Sequence, residues 1–282
     1  MEFTQLPPRD AHAYAACYCE ENIYKLVEGN IPAASLANFT VVFLSNSTGT
    51  IPVFSQKAQK TPLFPVIWDY HVVLVHHPGY TLGELLQRPQ MADYGHSHHY
   101  NAEKAAGDAG AREYAGLSAH VYDFDSTIPG FPCSFGDYYS QTFSPPPASQ
   151  DTSSAERMVM VQALNQEKFR RYFRLVPASV YLDYFCSERG HMKNEDGSWK
   201  AVPPPWPVIK GSKTEKETFV EYIDFKECEE VKKGDEGKEH LGVFVSEETL
   251  WDMFHGGEPL NTGIPDFSNY RISDMGAVEA TS

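Results

Sequence analysis

Apolar residues near the start of the chain recur at the spacing of an α-helix. The positions that repeat in this way are Ala16, Cys19, Ile23, Leu26 and Val27. Their period predicts a helix over roughly residues 14–28, with one apolar face turned towards a core. Gly29 and Asn30 follow this stretch and are typical of a helix C-terminus.

The apolar runs that come next are short and bounded by turn residues, which is typical of β-strands. Strands are predicted at about residues 40–44, 51–54, 66–75, 119–124, 169–176 and 242–245. Pro177 precedes a short predicted helix over residues 178–185. Ser246 is the expected N-cap of a last helix that reaches about Phe254.

A helix, several antiparallel strands and then mixed elements predict an α+β fold rather than a doubly wound parallel sheet. We expect residues 1–282 to form a single domain. Two stretches interrupt the pattern, at about residues 79–118 and 144–155, and we interpret both as insertions. The tail over about residues 263–282 is expected to be loosely ordered.

The chain carries 23 basic and 38 acidic residues, which gives a formal net charge of -15. Such a charge disfavours non-specific binding to nucleic acid, which needs a positive field, and docking on anionic lipid. We therefore expect no nucleic-acid partner and no membrane partner, and we expect a monomer. A negative surface mildly favours cationic partners, and a free N-terminal amine is one.

Cysteine usage and the absence of a leader indicate the compartment. The first ten residues contain no apolar segment of the kind found in signal peptides. The five cysteines are odd in number and include no pair spaced Cys-x-x-Cys. Reduced thiols are therefore expected, and with them a cytoplasmic location that can extend to the nucleus.

Two cysteines lie close together in the first predicted helix. Cys17 and Cys19 project about 200° apart on a helix, so only one of them can face the core. Cys19 shares the apolar face. Near a helix N-terminus, exposed backbone amides lower the pKa of a thiol and can stabilise an oxyanion. A buried structural cysteine is the alternative interpretation.

A histidine lies within the apolar strand over residues 66–75, where alternation places Asp69 and His71 on the same face. His71 is either a hydrogen-bonded core histidine or a general base beside a thiolate. Asp69 and Asp123 are both candidates to orient its imidazole, and geometry does not choose between them. Asp125 is interpreted as a solvated carboxylate at a strand end. A cysteine on a helix followed by His and Asp on strands is the chain order of papain-like and transglutaminase-like enzymes.

Clustered histidines raise the alternative of a metal site. They are His96, His98 and His99 in the first insertion, with His76 and His77 before it. Neither a cysteine nor an acid completes a recognisable ligand spacing there. We therefore expect incidental loop histidines and no metal.

Longer strings of residues stand in a characteristic order. They are Pro7-Pro8-Arg9-Asp10, Cys17-Tyr18-Cys19-Glu20-Glu21-Asn22, Val66-Ile67-Trp68-Asp69-Tyr70-His71-Val72-Val73-Leu74, Tyr122-Asp123-Phe124-Asp125, Phe131-Pro132-Cys133, His191-Met192-Lys193, Gly197-Ser198-Trp199 and Pro203-Pro204-Pro205. Together they resemble the protein N-terminal glutamine amidohydrolase family over about residues 7–254, with both insertions outside the match.

The resemblance implies a catalytic domain built as an α-β-α sandwich, a papain-like or transglutaminase-like cysteine hydrolase. It implies a triad of Cys19, His71 and Asp123, which favours Asp123 over Asp69. The implied reaction is hydrolytic deamidation of an N-terminal glutamine to glutamate, with release of ammonia through a thioester on a Cys19 thiolate paired with protonated His71. No cofactor and no metal is needed. The product would enter the arginine branch of the N-degron pathway of protein degradation.

The implied substrates are proteins or peptides with an N-terminal glutamine. A carboxylate should receive their free α-amino group, and Glu20, Glu21 and Asp69 are the candidates from the sequence. Glu20 and Glu21 can instead balance the charge of the helix N-terminus. Two other classes of function stay open. One is a papain-like peptidase or transglutaminase that acts on internal glutamine, and the other is a non-catalytic module that binds N-terminal glutamine.

Overall fold

The described part of the chain contains eight strands and seven α-helices, and the first four strands follow one another directly. The computed structural model describes residues 6–87, 118–147, 153–214, 216–226, 228 and 239–255. The strands are β1 (Phe39–Ser45), β2 (Ile51–Val53), β3 (Val66–Trp68), β4 (His71–His76), β5 (His120–Tyr122), β6 (Cys133–Ser134), β7 (Tyr172–Pro177) and β8 (Val243–Ser246). The helices are α1 (Cys19–Asn30), α2 (Leu82–Leu86), α3 (Phe135–Thr142), α4 (Ser154–Leu164), α5 (Ala178–Tyr184), α6 (Phe219–Tyr222) and α7 (Glu247–Phe254). Short 3₁₀ turns lie at Arg9–Ala11, Ala33–Asn38, Glu167–Phe169, Gly190–Met192 and Glu239–Leu241.

Six of these strands form one antiparallel sheet in the order β6-β5-β4-β1-β7-β8. All seven residues of the central strand β1 are buried, because the sheet is covered on both faces. Val41 and Phe43 belong to the core on one face, whereas Val42 and Leu44 belong to the core on the other. β2 and β3 pair separately as a small two-stranded sheet.

Helices cover both faces of the six-stranded sheet. The first core contains buried residues of α1, α5 and α6, such as Ile23, Tyr181 and Phe219. The second contains residues of α2, α3 and α7, such as Leu85 and Trp251. The mixed composition and the antiparallel sheet agree with the α+β prediction, and a sheet between two helical layers is the arrangement of an α-β-α sandwich.

The first helix begins later than its periodicity predicts. It starts at Cys19 instead of near residue 14, because Cys17 adopts a left-handed backbone conformation with φ of 66°. The side-chain amide of Asn22 holds the preceding loop, accepting from the backbone N–H of Ala15 and donating to its carbonyl, both at 2.8 Å. Cys19 therefore lies in the first turn, where backbone N–H groups have no partner within the helix.

The strand predicted over residues 66–75 is two strands. β3 ends at Trp68, and β4 begins at His71 in the other sheet. Between them Asp69 is exposed, whereas the ring of Tyr70 is buried in the first core. The change of sheet interrupts the alternation, so the prediction that Asp69 and His71 share one strand face is wrong. β2 pairs with β3 and not with β1.

The two predicted insertions contain ordered helix at their edges. α2 lies inside the first, and its Leu82 and Leu85 are buried in the second core. α4 begins at Ser154, with Ser153 as its N-cap. Residues 88–117 and 148–152, including His96, His98 and His99, and the tail over residues 263–282 lie outside the described residues, so the extent of the insertions and the single-domain organisation stay predictions.

The helices of the described part of the chain were compared with the requirements of a membrane span. None of them is long and apolar enough to cross a bilayer.

Candidate active site

Cys19 lies where the N-terminus of α1 meets the start of β4. Its side chain is buried, whereas Cys17 is exposed, which confirms that only one of the two cysteines faces the core. The backbone N–H of Val72 lies close enough to the Cys19 sulfur to act on the pKa of the thiol, which it lowers. The thiol itself donates to Oε2 of Glu20, with 3.6 Å between sulfur and oxygen. The sulfur is therefore held beside the residue that follows His71.

The electrostatic surroundings of Cys19 oppose ionisation of the resting thiol. Burial, and then the negative charge of Glu20, raise the pKa of Cys19 well above its usual value. The Val72 N–H acts in the opposite direction but does not compensate. This direction contradicts the lowered thiol pKa expected from the sequence, because burial and neighbouring carboxylates outweigh the helix N-terminus. The thiol therefore needs a base.

His71 begins β4, immediately before Val72, and is the candidate base for this thiol. Its Nε2 lies 3.1 Å from Oδ1 of Asp123, and the two side chains are 2% and 1% exposed. The carboxylate stands beside the ring nitrogen, outside the angle of an aligned hydrogen bond. Burial lowers the pKa of His71, but the charge and proximity of Asp123, together with the charges of Asp125 and Glu20, more than offset it, so the net shift is upward. The Trp68 ring is nearly parallel to the imidazole, with 6.1 Å between centroids.

Asp123 is held in place by four neighbours. Its Oδ2 accepts from Nε2 of Gln56 at 3.2 Å and from the hydroxyl of Tyr138 at 2.9 Å. Its Oδ1, beside His71, accepts from the backbone N–H of Asp125 at 2.8 Å. Burial alone would raise the pKa of Asp123, but the His71 charge and these donors lower it to about 2. Asp123 is consequently a fixed negative charge behind the imidazole.

Gln56 and Tyr138 were not identified from the sequence. Tyr138 lies on α3, a helix that the strand and helix predictions left out. The signal was present, since Ser134 caps the helix and its buried residues Phe135, Tyr138, Tyr139 and Thr142 have helical spacing. Gln56 follows β2 in an irregular segment, where periodicity gives no information.

Glu20 is almost fully buried next to the nucleophile. It is 1% exposed, and its Oε2 accepts from the hydroxyl of Tyr70 at 3.0 Å. Burial raises the pKa of Glu20 to about 7, although its own backbone N–H and the Tyr70 hydroxyl act to lower it. Glu20 is therefore a carboxyl group that changes charge near neutral pH, in contact with the Cys19 thiol.

The other two candidate acceptors for an amine are placed differently. Glu21 is fully buried and bound by Arg189 through two contacts of 2.7 and 2.6 Å. The indole N–H of Trp206 also donates to Glu21, at 2.7 Å. Asp69 is exposed on the turn before β4, and its Oδ1 accepts from the backbone N–H of Tyr70 at 2.9 Å. Glu21 thus has its own cation, and Asp69 faces solvent.

Asp125 is not the solvated strand-end carboxylate expected from the sequence. It is partly buried, and its Oδ1 accepts from the hydroxyl of Tyr14 at 2.5 Å. One oxygen of Asp125, one oxygen of Asp123 and one ring nitrogen of His71 all lie within 4.8 Å of one another. Asp125 therefore belongs to the site.

These three residues also offer ligand atoms for a metal ion. Within the described residues, His71, Asp123 and Asp125 are the one group of three whose spacing suits a cation. One imidazole nitrogen and two carboxylate oxygens are a reasonable but incomplete ligand set for zinc. The contact between His71 and Asp123 is equally that of a base and the acid that orients it. The expectation of a metal-free site stays a prediction.

Comparison with known proteins matches this chain to a single family. A family model described as N-terminal glutamine amidase matches residues 14–254. The protein N-terminal glutamine amidohydrolase of Homo sapiens is 34% identical over 206 residues, which cover 72% of this chain and 74% of the relative. The protein of the same name from Bos taurus is 34% identical, with 72% and 73% covered. That of Caenorhabditis briggsae is 34% identical over 199 residues, with 71% and 78% covered.

Proposed function

The chain belongs to the N-terminal glutamine amidase family, and we propose that it hydrolyses the side-chain amide of N-terminal glutamine in proteins and peptides. The products are ammonia and an N-terminal glutamate. The observation that carries this proposal is the buried pair of His71 and Asp123, whose histidine begins β4, the strand against which α1 packs with Cys19 at its N-terminus. A nucleophile, a base and an orienting acid are the groups that acyl transfer needs.

The first half of the reaction forms a thioester. His71 removes the thiol proton of Cys19 as the sulfur attacks the amide carbon of the glutamine side chain. The raised pKa of His71 suits this role, because the imidazolium that forms is stabilised by Asp123. Backbone N–H groups in the first turn of α1, including that of Cys19, are the proposed donors to the oxyanion. The imidazolium then protonates the leaving nitrogen, and ammonia departs.

The second half hydrolyses the γ-glutamyl thioester. His71, neutral again, removes a proton from water, which attacks the thioester carbonyl. The carbon–sulfur bond breaks, the proton returns to the sulfur of Cys19, and glutamate is released. Asp123 keeps the imidazole in one orientation throughout, and Gln56 and Tyr138 keep Asp123 in place. These residues carry out each step without a cofactor.

We place this arrangement with the papain-like and transglutaminase-like hydrolases, since the cysteine begins a helix and its partners lie on or beside adjacent strands. An N-terminal glutamate produced in the cytoplasm or nucleus would be a substrate for arginylation in the N-degron pathway. Both the fold relationship and the pathway rest on the resemblance and the family, and the substrate assay below is independent of them.

A panel of peptides tests the proposed function. Mass spectrometry should find deamidation of a glutamine-starting peptide, and none of its acetylated form or of a peptide with internal glutamine. N-terminal asparagine is one methylene shorter, so its amide carbon stops about 1.5 Å short of the sulfur and turnover should fall about a hundredfold. Equal deamidation of internal glutamine would instead assign a transglutaminase-like activity, and binding without turnover would assign a recognition module. Loss of activity with EDTA, restored by zinc, would contradict the metal-free mechanism.

A further inference from the structure

The substrate of the proposed function carries a positive charge close to its reacting amide. The α-nitrogen of glutamine is four bonds from the amide carbon, so the two atoms lie at most about 5 Å apart. An ammonium group taken into a partly buried site needs an anionic acceptor, because an unpaired charge there is unfavourable by several kcal/mol. A carboxylate must therefore lie close to both Cys19 and His71.

Most carboxylates near the sulfur already have a partner or lie in the wrong place. Glu21 is bound by Arg189, and Asp123 is opposite His71. Glu20 is 1% exposed, so an ammonium would have to displace the Tyr70 hydroxyl and the thiol that contact it. Asp69 is exposed to water, where an ion pair contributes little to affinity.

Asp125 differs from these carboxylates in position and in partners. One of its oxygens lies within 4.8 Å of a His71 ring nitrogen and an Asp123 oxygen. Its charge acts on the Cys19 thiol more strongly than that of Asp123 does. Within the described residues, its direct side-chain partner is the neutral hydroxyl of Tyr14, and no lysine or arginine forms an ion pair with it.

The backbone fixes the position of Asp125 relative to the triad. Its N–H donates to Oδ1 of Asp123 at 2.8 Å, and its carbonyl accepts from the backbone N–H of Lys57 at 2.7 Å. The Tyr14 hydroxyl binds Oδ1, which leaves Oδ2 for a ligand. The Lys57 ammonium lies 4.5 Å from the centroid of the Tyr14 ring. Such a carboxylate is oriented before a ligand arrives, which reduces the entropy lost on binding.

We infer that Asp125 receives the α-ammonium group of the N-terminal glutamine and so makes the enzyme specific for a free chain terminus. The inference rests on the proposed function and extends it. When the ammonium group is bound to Asp125, the four bonds between the α-nitrogen and the amide carbon allow that carbon to reach Cys19. The leaving nitrogen then lies near His71. Acetylation removes the charge that Asp125 binds, and an internal glutamine lacks that charge.

The inference is tested by measuring two proteins, which differ at residue 125, on two substrates, which differ in the α-amino group. The two substrates are a glutamine-starting peptide and the same peptide whose first residue lacks the α-amino group, a 4-carbamoylbutanoyl peptide. The two proteins are the wild type and Asp125→Asn. For the glutamine peptide we expect Asp125→Asn to lower kcat/KM about 30- to 100-fold, mostly through KM, because a charge-assisted hydrogen bond is lost from ground state and transition state alike. For the desamino peptide we expect a smaller loss, by about tenfold, which reports the effect of removing the Asp125 charge from beside Cys19 and His71.

The desamino peptide also reports on folding and on the triad, since its turnover needs both. Equal losses on the two substrates would show that Asp125 acts through His71, and would overturn the inference. Wild-type kcat/KM of Asp125→Asn on both substrates would overturn it as well. Tyr14→Phe, which removes the hydroxyl from Oδ1, should lower kcat/KM in the same substrate-selective way, by a smaller factor. Asp137→Asn, an exposed carboxylate on α3, should change neither value.

Failure of the proposed amidase activity can be distinguished from failure of the inference about Asp125. In that case the wild-type protein would release no ammonia from the glutamine peptide. Equilibrium titration of Cys19→Ala protein with the two peptides, with and without Asp125→Asn, still tests the acceptor, because it does not depend on turnover. Tighter binding of the glutamine peptide that is lost in the double variant is the expected result. Equal binding of the two peptides to Cys19→Ala would contradict the inference.

Discussion

Oδ1 of Asp123 lies 3.1 Å from Nε2 of His71, and both side chains are almost fully excluded from solvent. Two oriented groups in a region without water interact more strongly than they would at the surface. Asp123 faces Nε2, so in the proposed mechanism the other ring nitrogen, Nδ1, is the one that takes the proton of Cys19. The predictions below follow from this pair and from the residues that hold it.

Replacing the acid of the pair should stop the chemical step without unfolding the protein. Asp123→Asn should lower kcat by about three orders of magnitude or more, because the amide favours the wrong tautomer and does not stabilise the imidazolium. Steady-state ammonia release measures kcat, and circular dichroism checks the fold. Asp137→Asn, at an exposed carboxylate, is the matched control and should keep the wild-type kcat. A near-normal kcat for Asp123→Asn would contradict the triad.

Tyr138 should act as a positioning residue through Asp123. Tyr138→Phe removes a 2.9 Å donor to Oδ2, and we expect kcat to fall about tenfold. Loss of a donor to the charged form raises the pKa of Asp123, so its carboxylate holds the proton of His71 more strongly, and the acid limb of the kcat profile, which reports protonation of His71, should move to higher pH. The neighbouring Tyr139→Phe removes a hydroxyl that donates to Glu247 at 2.8 Å. Tyr139→Phe should lower stability to a similar degree and leave kcat and its pH profile unchanged. Equal pH profiles of kcat for the two variants would contradict the role of Tyr138 as a positioning residue.

Burial of Glu20 should make the protein less stable as pH rises. Its pKa is raised from 4.5 to about 7, so the folded state holds a proton that the unfolded chain releases earlier. The free energy of unfolding should therefore decline between about pH 4.5 and pH 7, by about 3 kcal/mol from this group, and stay level above. Glu20→Gln should remove this part of the decline in urea denaturation at a series of pH values. Glu28→Gln, an exposed residue of the same helix, should leave it in place.

The buried ion pair of Glu21 should contribute to stability rather than to turnover. Glu21→Gln leaves the Arg189 guanidinium, 12% exposed, without its carboxylate. Removing one member of a buried pair lowers the free energy of unfolding by about 3–5 kcal/mol. Thermal or urea denaturation measures the loss. Glu28→Gln breaks an exposed pair with Lys25 and should have little effect, so equal effects of the two variants would show that burial of Glu21 is unimportant.

Periodicity predicted the elements that bury a regular face and missed the places where the chain changes direction. The last helix begins after Ser246, as predicted, because its cap and its apolar face agree. The start of α1 was predicted too early, since the left-handed conformation of Cys17 depends on tertiary contacts that no propensity encodes. The break at Tyr70 has the same origin, because the strand pattern continues across a point where the chain leaves one sheet for another.

Within the site, the chemistry of single residues could be predicted, whereas their electrostatic surroundings could not. Cys19 was placed on the buried side of its helix by spacing alone. Its raised pKa depends first on its own burial and then on the charges of Glu20 and Asp125, and all of these are properties of the folded chain. Asp125 was interpreted as solvated because a residue at a strand end lies on the surface in most proteins. Tyr14, more than a hundred positions earlier in the chain, is the contact that changes this.

In the proposed mechanism, Cys19 is the nucleophile of an N-terminal glutamine amidohydrolase. The most direct test compares Cys19→Ala with Cys17→Ala for ammonia release from a saturating glutamine-starting peptide. Cys17 is exposed two residues away, so its variant controls for the loss of a thiol near the site. We predict that Cys17→Ala keeps a kcat close to that of the wild type and that Cys19→Ala releases no ammonia above background. Sustained release by Cys19→Ala would contradict the account.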